Sequence, residues 1–458
     1  HLLSRRQRQM CIRDRYKRRY FLKVIIRMQN ENLNHKKGLL ALSPLILFVI
    51  VYFVSSLIAG DFYKMPITIA FMTACIYAIA VSRGKAFKQR IDSFCIGAGA
   101  KDIMLMTCIF IMAGAFANSA KTAGCIDDTV NFTLSVLPDN MIMPGLFIAA
   151  CFISLSIGTS VGTIVALTPI AAGLAHSTGT SVPLMVAVIV GGSFFGDNLS
   201  FISDTTIVAT NTQGCKQSDK FLVNSYTTIP VAIIVMVVYM FVGQGVNSPT
   251  NIPSANIIKI IPYLIVIISA ICGLNVLIVL TLGILSTGVV GMAFNAFDFF
   301  GWCQSMGDGI TAMGDLIVVA LLAGGLLKTL SDNGALDYLI RLITNKISNR
   351  RSCELTIASL VSIVNVCTAN NTVAILTVGS ISKDIGDKFG VDNRKSASIL
   401  DTFSCCIQSI LPYGAQILMA TGLAAVSPMD IISHLYYPFV LFAVSVGSIL
   451  FRYPKKYS

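Results

Sequence analysis

The sequence predicts an all-α polytopic membrane protein: about ten transmembrane helices plus two re-entrant hairpins, arranged as two inverted repeats. Three observations predict it. Only 12% of the 458 residues are charged and mean hydropathy is +0.75, where a soluble globular chain carries about 25% charged residues. Apolar stretches of the roughly 20 residues needed to cross a bilayer recur along the chain. Short motifs also recur at a constant offset of 209 to 210 residues.

The net charge of +12 does not indicate a nucleic-acid partner, because residues 1–27 hold ten Arg and Lys against a single acid, Asp14. Without that +9 the chain carries only +3. The stretch "RRQRQMCIRDRYKRRYFLKVIIR" lacks apolar periodicity and precedes Met28. Residues 1–37 are therefore set apart as a basic leader, disordered or non-native before Met28. A basic RNA-binding tail is the other reading of the leader. Gly38 to Ala59 has the charge-then-apolar order of a signal peptide, but it is long enough to span and lacks a small-residue cleavage site. The thirteen cysteines form no C-x-x-C pair and no metal-ligand spacing. They read as small hydrophobes, with no disulfide and no zinc expected. No phosphate-binding loop is found, so neither ATP nor another cofactor is expected, and the chain does not read as an enzyme.

Spans are expected at 39–59, 65–82, 102–119, 183–212, 222–245, 256–272, 275–297, 311–328, 396–424 and 431–450. Two further apolar stretches, 141–175 and 352–382, have two arms of roughly 10 to 17 residues around a polar tip, "GTSVGT" and "CTANNT". Such arms reach halfway to most of the way across a core of about 30 Å, so both read as re-entrant hairpins. The repeat places "AGCIDD" over "NGALDY", "TSVGTIVALT" over "TANNTVAILT", and "GGSFFGDNLS" over "LDTFSCCIQS". Residues 38–247 and 248–458 are then two halves of five crossings and one hairpin each. An odd number of crossings inverts one half relative to the other. Cytoplasmic loops collect Lys and Arg. With both termini cytoplasmic, the inside loops and tail hold 19 basic residues, and the outside loops hold three: Lys64, Lys121 and Lys259.

Irregular backbone at membrane depth is tolerated only where protein or a water-filled cavity covers it, and opposed hairpins at a repeat interface are a common way to build a midplane site. On a helix, Ser193, Asp197, Ser200 and Asp204 fall at i, i+4, i+7 and i+11, one polar face. Gly191, Gly192 and Gly196 beside it would permit either close packing or an unwound break. A carboxylate at membrane depth costs several kcal/mol and is a functional candidate by default. The alternative is that one aspartate caps a half-helix and the other lies in interfacial water. The matching stripe of the second half, Thr402, Cys406, Ser409 and Tyr413, has no acid; Asp401 enters it one residue off, as a second-site ligand or a helix-starting acid near the cytoplasmic face. The hairpin tips add Thr159, Ser160 and Thr163, and Thr368, Asn370, Asn371 and Thr372, as an ion or substrate pathway. Their oxygens suit hard cations and their helix starts suit carboxylates, and simple turn chemistry would account for them too. His176, Glu354, Asp102 and Asp315 sit at segment ends and read as interface markers.

The stretch "GGSFFGDNLSFISDTT" resembles the signature of NhaC-type sodium/proton antiporters, in which G-D-x-x-S-x-x-S-D-T-T is typical. It is carried here by Gly196, Asp197, Ser200, Ser203, Asp204, Thr205 and Thr206, and the likeness in organisation runs over about residues 36–450. The family belongs to the ion transporter superfamily, whose inverted repeats with opposed hairpins match the layout above. The resemblance implies a secondary antiporter of the bacterial cytoplasmic (inner) membrane that exchanges sodium ions for protons within the lipid bilayer. It implies that Asp197 and Asp204 bind cation and proton, with Asn198, Ser200, Ser203 and Thr205 beside them. Two alternatives stay open. One is a sodium- or proton-coupled exchanger of an organic acid or amino acid, against which the lack of an Arg or Lys near the tips counts mildly. The other is an intramembrane aspartyl protease, disfavoured because Asp197 and Asp204 would lie roughly 10 Å apart along one helix. A homodimer is compatible with either transporter reading.

Overall fold

A computed structural model of the protein describes residues 35–55, 58, 65–82, 86–201, 203–249, 252–344 and 347–457. Most of the basic leader, and Lys64, lie outside the described residues. Among those residues the secondary structure is helical, with no strand. Eight helical segments are long and apolar enough to cross a membrane, and four shorter apolar helices join them. The chain is a multi-pass membrane protein.

Helices of similar length follow one another in a similar order along the two halves of the described chain. The first set is α1 (His35–Val49), α2 (Ile67–Val81), α3 (Phe87–Ala98), α4 (Lys101–Thr122), α5 (Cys125–Val136), α6 (Ile142–Ile157), α7 (Ser160–Thr178), α8 (Val182–Leu199), α9 (Asp204–Gln213) and α10 (Gln217–Val242). The second set is α11 (Ile257–Ile271), α12 (Val276–Ala293), α13 (Phe299–Ala312), α14 (Gly314–Asp332), α15 (Ala335–Thr344), α16 (Arg350–Thr368), α17 (Asn371–Phe389), α18 (Asn393–Gln408), α19 (Ala415–Ala424), the short α20 (Pro428–Ser433) and α21 (Tyr436–Leu450). Helix ends recur at a fixed spacing. Left-handed residues close corresponding helices at Gly158 and Ala369, Gly179 and Gly390, and Gly214 and Ala425, each pair 211 residues apart. Two braces repeat at the same spacing: Ser154 Oγ donates to the Ser193 carbonyl at 2.5 Å, and Asn365 Nδ2 donates to the Ser404 carbonyl at 2.7 Å. The offset of 209 read from identities around Thr163 and Thr372 is thus two residues short at the hairpin tips. At 211, Gln408 and not Cys406 is the counterpart of Asp197.

The arms of the hairpins, α6–α7 and α16–α17, have 16, 19, 19 and 19 residues. That is roughly 24 to 29 Å of helix, longer than the apolar runs indicate, because helix continues through polar ends such as His176 and Lys383. Four helices fall where loops were expected or outside the expected spans: α3, α5, α13 and α15. α3 and α13 pack on α14 and α4 of the other half of the chain. The approach is close: a Cβ on Gly97 would lie 2.5 Å from the Gly324 carbonyl oxygen, and one on Gly309 would lie 2.1 Å from that of Gly114.

Two spans are broken. The span expected over 183–212 stops at Leu199 and restarts at Asp204, and that over 396–424 stops at Gln408 and restarts at Ala415. The glycines do not make the first break. A Cβ on Gly192 would meet the Phe147 carbonyl oxygen at 2.8 Å, and one on Gly196 would meet the Leu155 nitrogen at 2.5 Å, so both serve the close crossing of α8 on α6. Each half-helix packs against a helix of the other half of the chain, α9 on α17 and α19 on α7. The breaks and the hairpin tips therefore face one shared space.

Candidate functional site

That space is a cavity of about 220 Å³. Thr159 and Ser160 enter it from one hairpin tip, and Asn370, Asn371 and Thr372 from the other. The first break contributes Asp197, Ser203, Asp204 and Thr205, and the second contributes Gln408 and Gln416. Asp102, at the start of α4, completes a lining with three carboxylates and no Lys, Arg or His among the described residues.

Asp197 is only 4% exposed. Its Oδ1 accepts the Ser160 backbone N–H at 3.0 Å, the first free amide of α7, where the helix dipole favours negative charge. Ser160 is held in turn from the second half of the chain: Gln416 Nε2 donates to Ser160 Oγ at 3.0 Å, and Gln416 Oε1 accepts from Gln408 Nε2 at 2.9 Å. Gln408 also donates to the Ala369 carbonyl at 3.0 Å. A chain of hydrogen bonds thus joins the two tips through the two glutamines, with Asp197 at its end.

The other expected site residues are distributed unevenly. Asp204 lines the cavity but is exposed, in the first turn of α9. Ser203 and Thr205 are buried and joined hydroxyl to hydroxyl at 2.9 Å. Asn370 caps α17 by accepting the Val373 N–H at 3.0 Å. Thr163, Thr368, Asn198 and Ser200 do not line the cavity. Thr163 and Thr368 bond to tip carbonyls, those of Thr159 and Asn370. Asn198 Nδ2 donates to the Phe194 carbonyl and to Tyr437, while Ser200 Oγ donates to the Leu155 carbonyl.

Asp401 stands neither at a helix start nor in the cavity. It is fully buried inside α18, 2.8 Å from Lys220 Nζ, which is also fully buried. Lys220 belongs to α10, which begins at Gln217, so its positive charge is inside the protein and not in a loop. Lys220 Nζ donates to the Asn198 carbonyl at 2.7 Å and to Thr206 Oγ1 at 2.6 Å, and Asn224 Nδ2 donates to the same carbonyl at 2.8 Å and to Asp401 at 2.9 Å. The break explains this cluster: carbonyls at the end of α8 lose their helical partners and need donors inside the protein. Gln408 and Gln416 were missed because they carry no charge; the 211-residue spacing is the signal that pairs Gln408 with Asp197.

Comparison with known proteins bears on what such a cavity serves. The antiporter NhaC of Alkalihalophilus pseudofirmus is 23% identical over 426 residues, covering 85% of this chain and 89% of that one. The NhaC of Bacillus subtilis is 24% identical over 397 residues, covering 78% and 85%. A malate-2H(+)/Na(+)-lactate antiporter of Bacillus subtilis is 21% identical over 438 residues, covering 86% and 91%. The Na+/H+ antiporter family matches residues 38–244 and 246–455, nearly all of the described chain, and the protein belongs to that family.

Proposed function

We propose that the protein is a secondary antiporter exchanging sodium for protons across the bacterial cytoplasmic membrane, and that Asp197 is the group for which the two compete. One observation carries the reading: a buried carboxylate without an ion-pair partner among the described residues lies between two hairpin tips in a cavity that holds acids and no base. A buried carboxylate is tolerated when it is neutralised, and sodium or a proton each does so. Binding one then expels the other. Oxygens from Ser160, Ser203, Thr205, Asn371 and Gln416 around the cavity suit a hard cation. Asp204 and Asp102, exposed at the rim, would raise the local cation concentration. The halves lie inverted, with both termini in the cytoplasm and the hairpins re-entrant; the basic loops support this orientation, although Lys220 and Lys395 among them are buried in the protein.

The second reading, exchange of an organic acid, is favoured by a cavity of about 220 Å³, larger than a bare cation needs, and by the likeness to the malate/lactate antiporter. The acidic lining opposes it, since the buried base Lys220 is committed to Asp401. Proteoliposomes loaded with a pH-sensitive dye distinguish the two. Sodium alone should drive dequenching; a signal that appears only when an organic acid is added would overturn sodium/proton exchange.

A further inference from the structure

The Lys220 ammonium is held as a bound cation would be. Three oxygens surround it: a carboxylate from α18, a backbone carbonyl from the end of α8, and a hydroxyl from the first turn of α9, at 2.8, 2.7 and 2.6 Å. Lys220, Asp401, Asn198, Thr206 and the supporting Asn224 are all fully buried. The cradle sits where the helix break leaves unpaired carbonyls, the kind of backbone that holds cations in other broken membrane helices. It has no counterpart at the 211-residue spacing, where Val190 stands in the place of Asp401.

We propose that this cradle is a second cation site, which the chain keeps permanently filled with its own lysine. A mobile sodium and a tethered ammonium meet the same needs there: both neutralise Asp401 and both satisfy the Asn198 carbonyl. The tether removes the site from exchange. If Asp197 is the exchanging carboxylate, as proposed above, Asp401 contributes a fixed charge and no transported ion, and Gln408 opposite Asp197 contributes none either. One sodium then moves per cycle. The cradle itself does not depend on that reading.

Equilibrium binding of radioactive sodium to the purified full chain tests the inference, with choline as the blank. Wild type should saturate at about one sodium per chain, because among the described residues Asp197 is the one buried carboxylate without an internal cation, Asp401 being paired with Lys220 and Glu354 with Arg350; saturation at two would overturn the proposal without recourse to any variant. The step from wild type to Asp197→Asn reports on the exchange site. The step from Asp197→Asn to Asp197→Asn/Lys220→Ala reports on the cradle. Emptying it should restore saturable sodium binding, and adding Asp401→Asn should remove that binding again. A folded Asp197→Asn/Lys220→Ala chain that binds no more sodium than Asp197→Asn alone would show that the lysine fills no cation site.

Discussion

Substituting Gly196 by alanine tests how the fold holds Asp197. A Cβ there would lie 2.2 Å from Ser154 Oγ and 2.5 Å from the Leu155 nitrogen, where ordinary contact begins at 3.4 Å. The Leu155 nitrogen is backbone, and Ser154 is fixed by its bond to the Ser193 carbonyl, so neither can turn aside. α8 must move off α6 by roughly 1 Å, since close-packed interiors transmit strain and do not absorb it. Overpacking of this kind costs about 1–3 kcal/mol. Asp197 is the next residue, and the same shift lengthens its 3.0 Å contact with the Ser160 N–H to about 4 Å, beyond hydrogen-bond reach. Sodium-driven dequenching should fall about tenfold or more, as a 1 Å misplacement of a reacting group can cost up to about a hundredfold. Gly447 in α21 is the control: nothing lies within 4 Å of the point a Cβ would occupy there, and alanine should add about 0.5–1 kcal/mol of helix stability. A Gly196→Ala chain with wild-type flux and thermal stability would refute the reasoning.

Three further outcomes follow from the same geometry. Lys220→Met leaves Asp401 buried and unpaired in sodium-free buffer, which should cost about 3–5 kcal/mol in thermal or denaturant unfolding, and Lys220→Met/Asp401→Leu should recover most of it; equal stability of the single variant and wild type would contradict the buried pair. Asp392, outside the spans, caps α18 and is gripped by Arg394 at 2.6 Å, which holds its carboxyl below the usual range. Because the folded value is depressed, its stabilisation is complete above the ordinary carboxylate value of about 3.9 and is lost as pH falls through the lower folded value. Asp392→Ala should therefore cost about 0.5–2 kcal/mol at pH 7, and the difference from wild type should narrow in acid. In a chain freed of its native cysteines, an impermeant reagent applied to right-side-out cells should label cysteine at Ser177 and spare it at Lys388, the exposed position 211 residues on; labelling only at Lys388 would reverse the proposed orientation.

Much of the candidate site was legible because its chemistry is out of place in an apolar chain. Asp197, Ser203, Thr205 and both hairpin tips stand out as polar residues in hydrophobic stretches, and the structure gathers them around one cavity. The location of the break was not legible, because glycines serve close packing as readily as unwinding, and here Gly192 and Gly196 do the former. Asp204 shares the signature with Asp197, but the break turns it to the exposed start of α9. Lys220 looked like a loop charge, since a count of positive residues cannot tell a solvated lysine from one drawn inside by an acid 181 positions later in the sequence. The amphipathic helices α3, α5, α13 and α15 fell below any threshold of apolar length.

Competition of sodium and protons at Asp197 is tested most directly by the flux of two variants reconstituted side by side. Asp197→Asn keeps size and hydrogen bonding but removes the exchangeable charge, so sodium-dependent proton flux should vanish while expression and thermal stability persist. Asp204→Asn, altered at an exposed rim position, should keep measurable flux with a weaker apparent sodium affinity. In wild type that affinity should fall as the pH is lowered, because protons then outcompete sodium for the carboxylate. Sodium-dependent proton flux near the wild-type level in Asp197→Asn would contradict the proposed site.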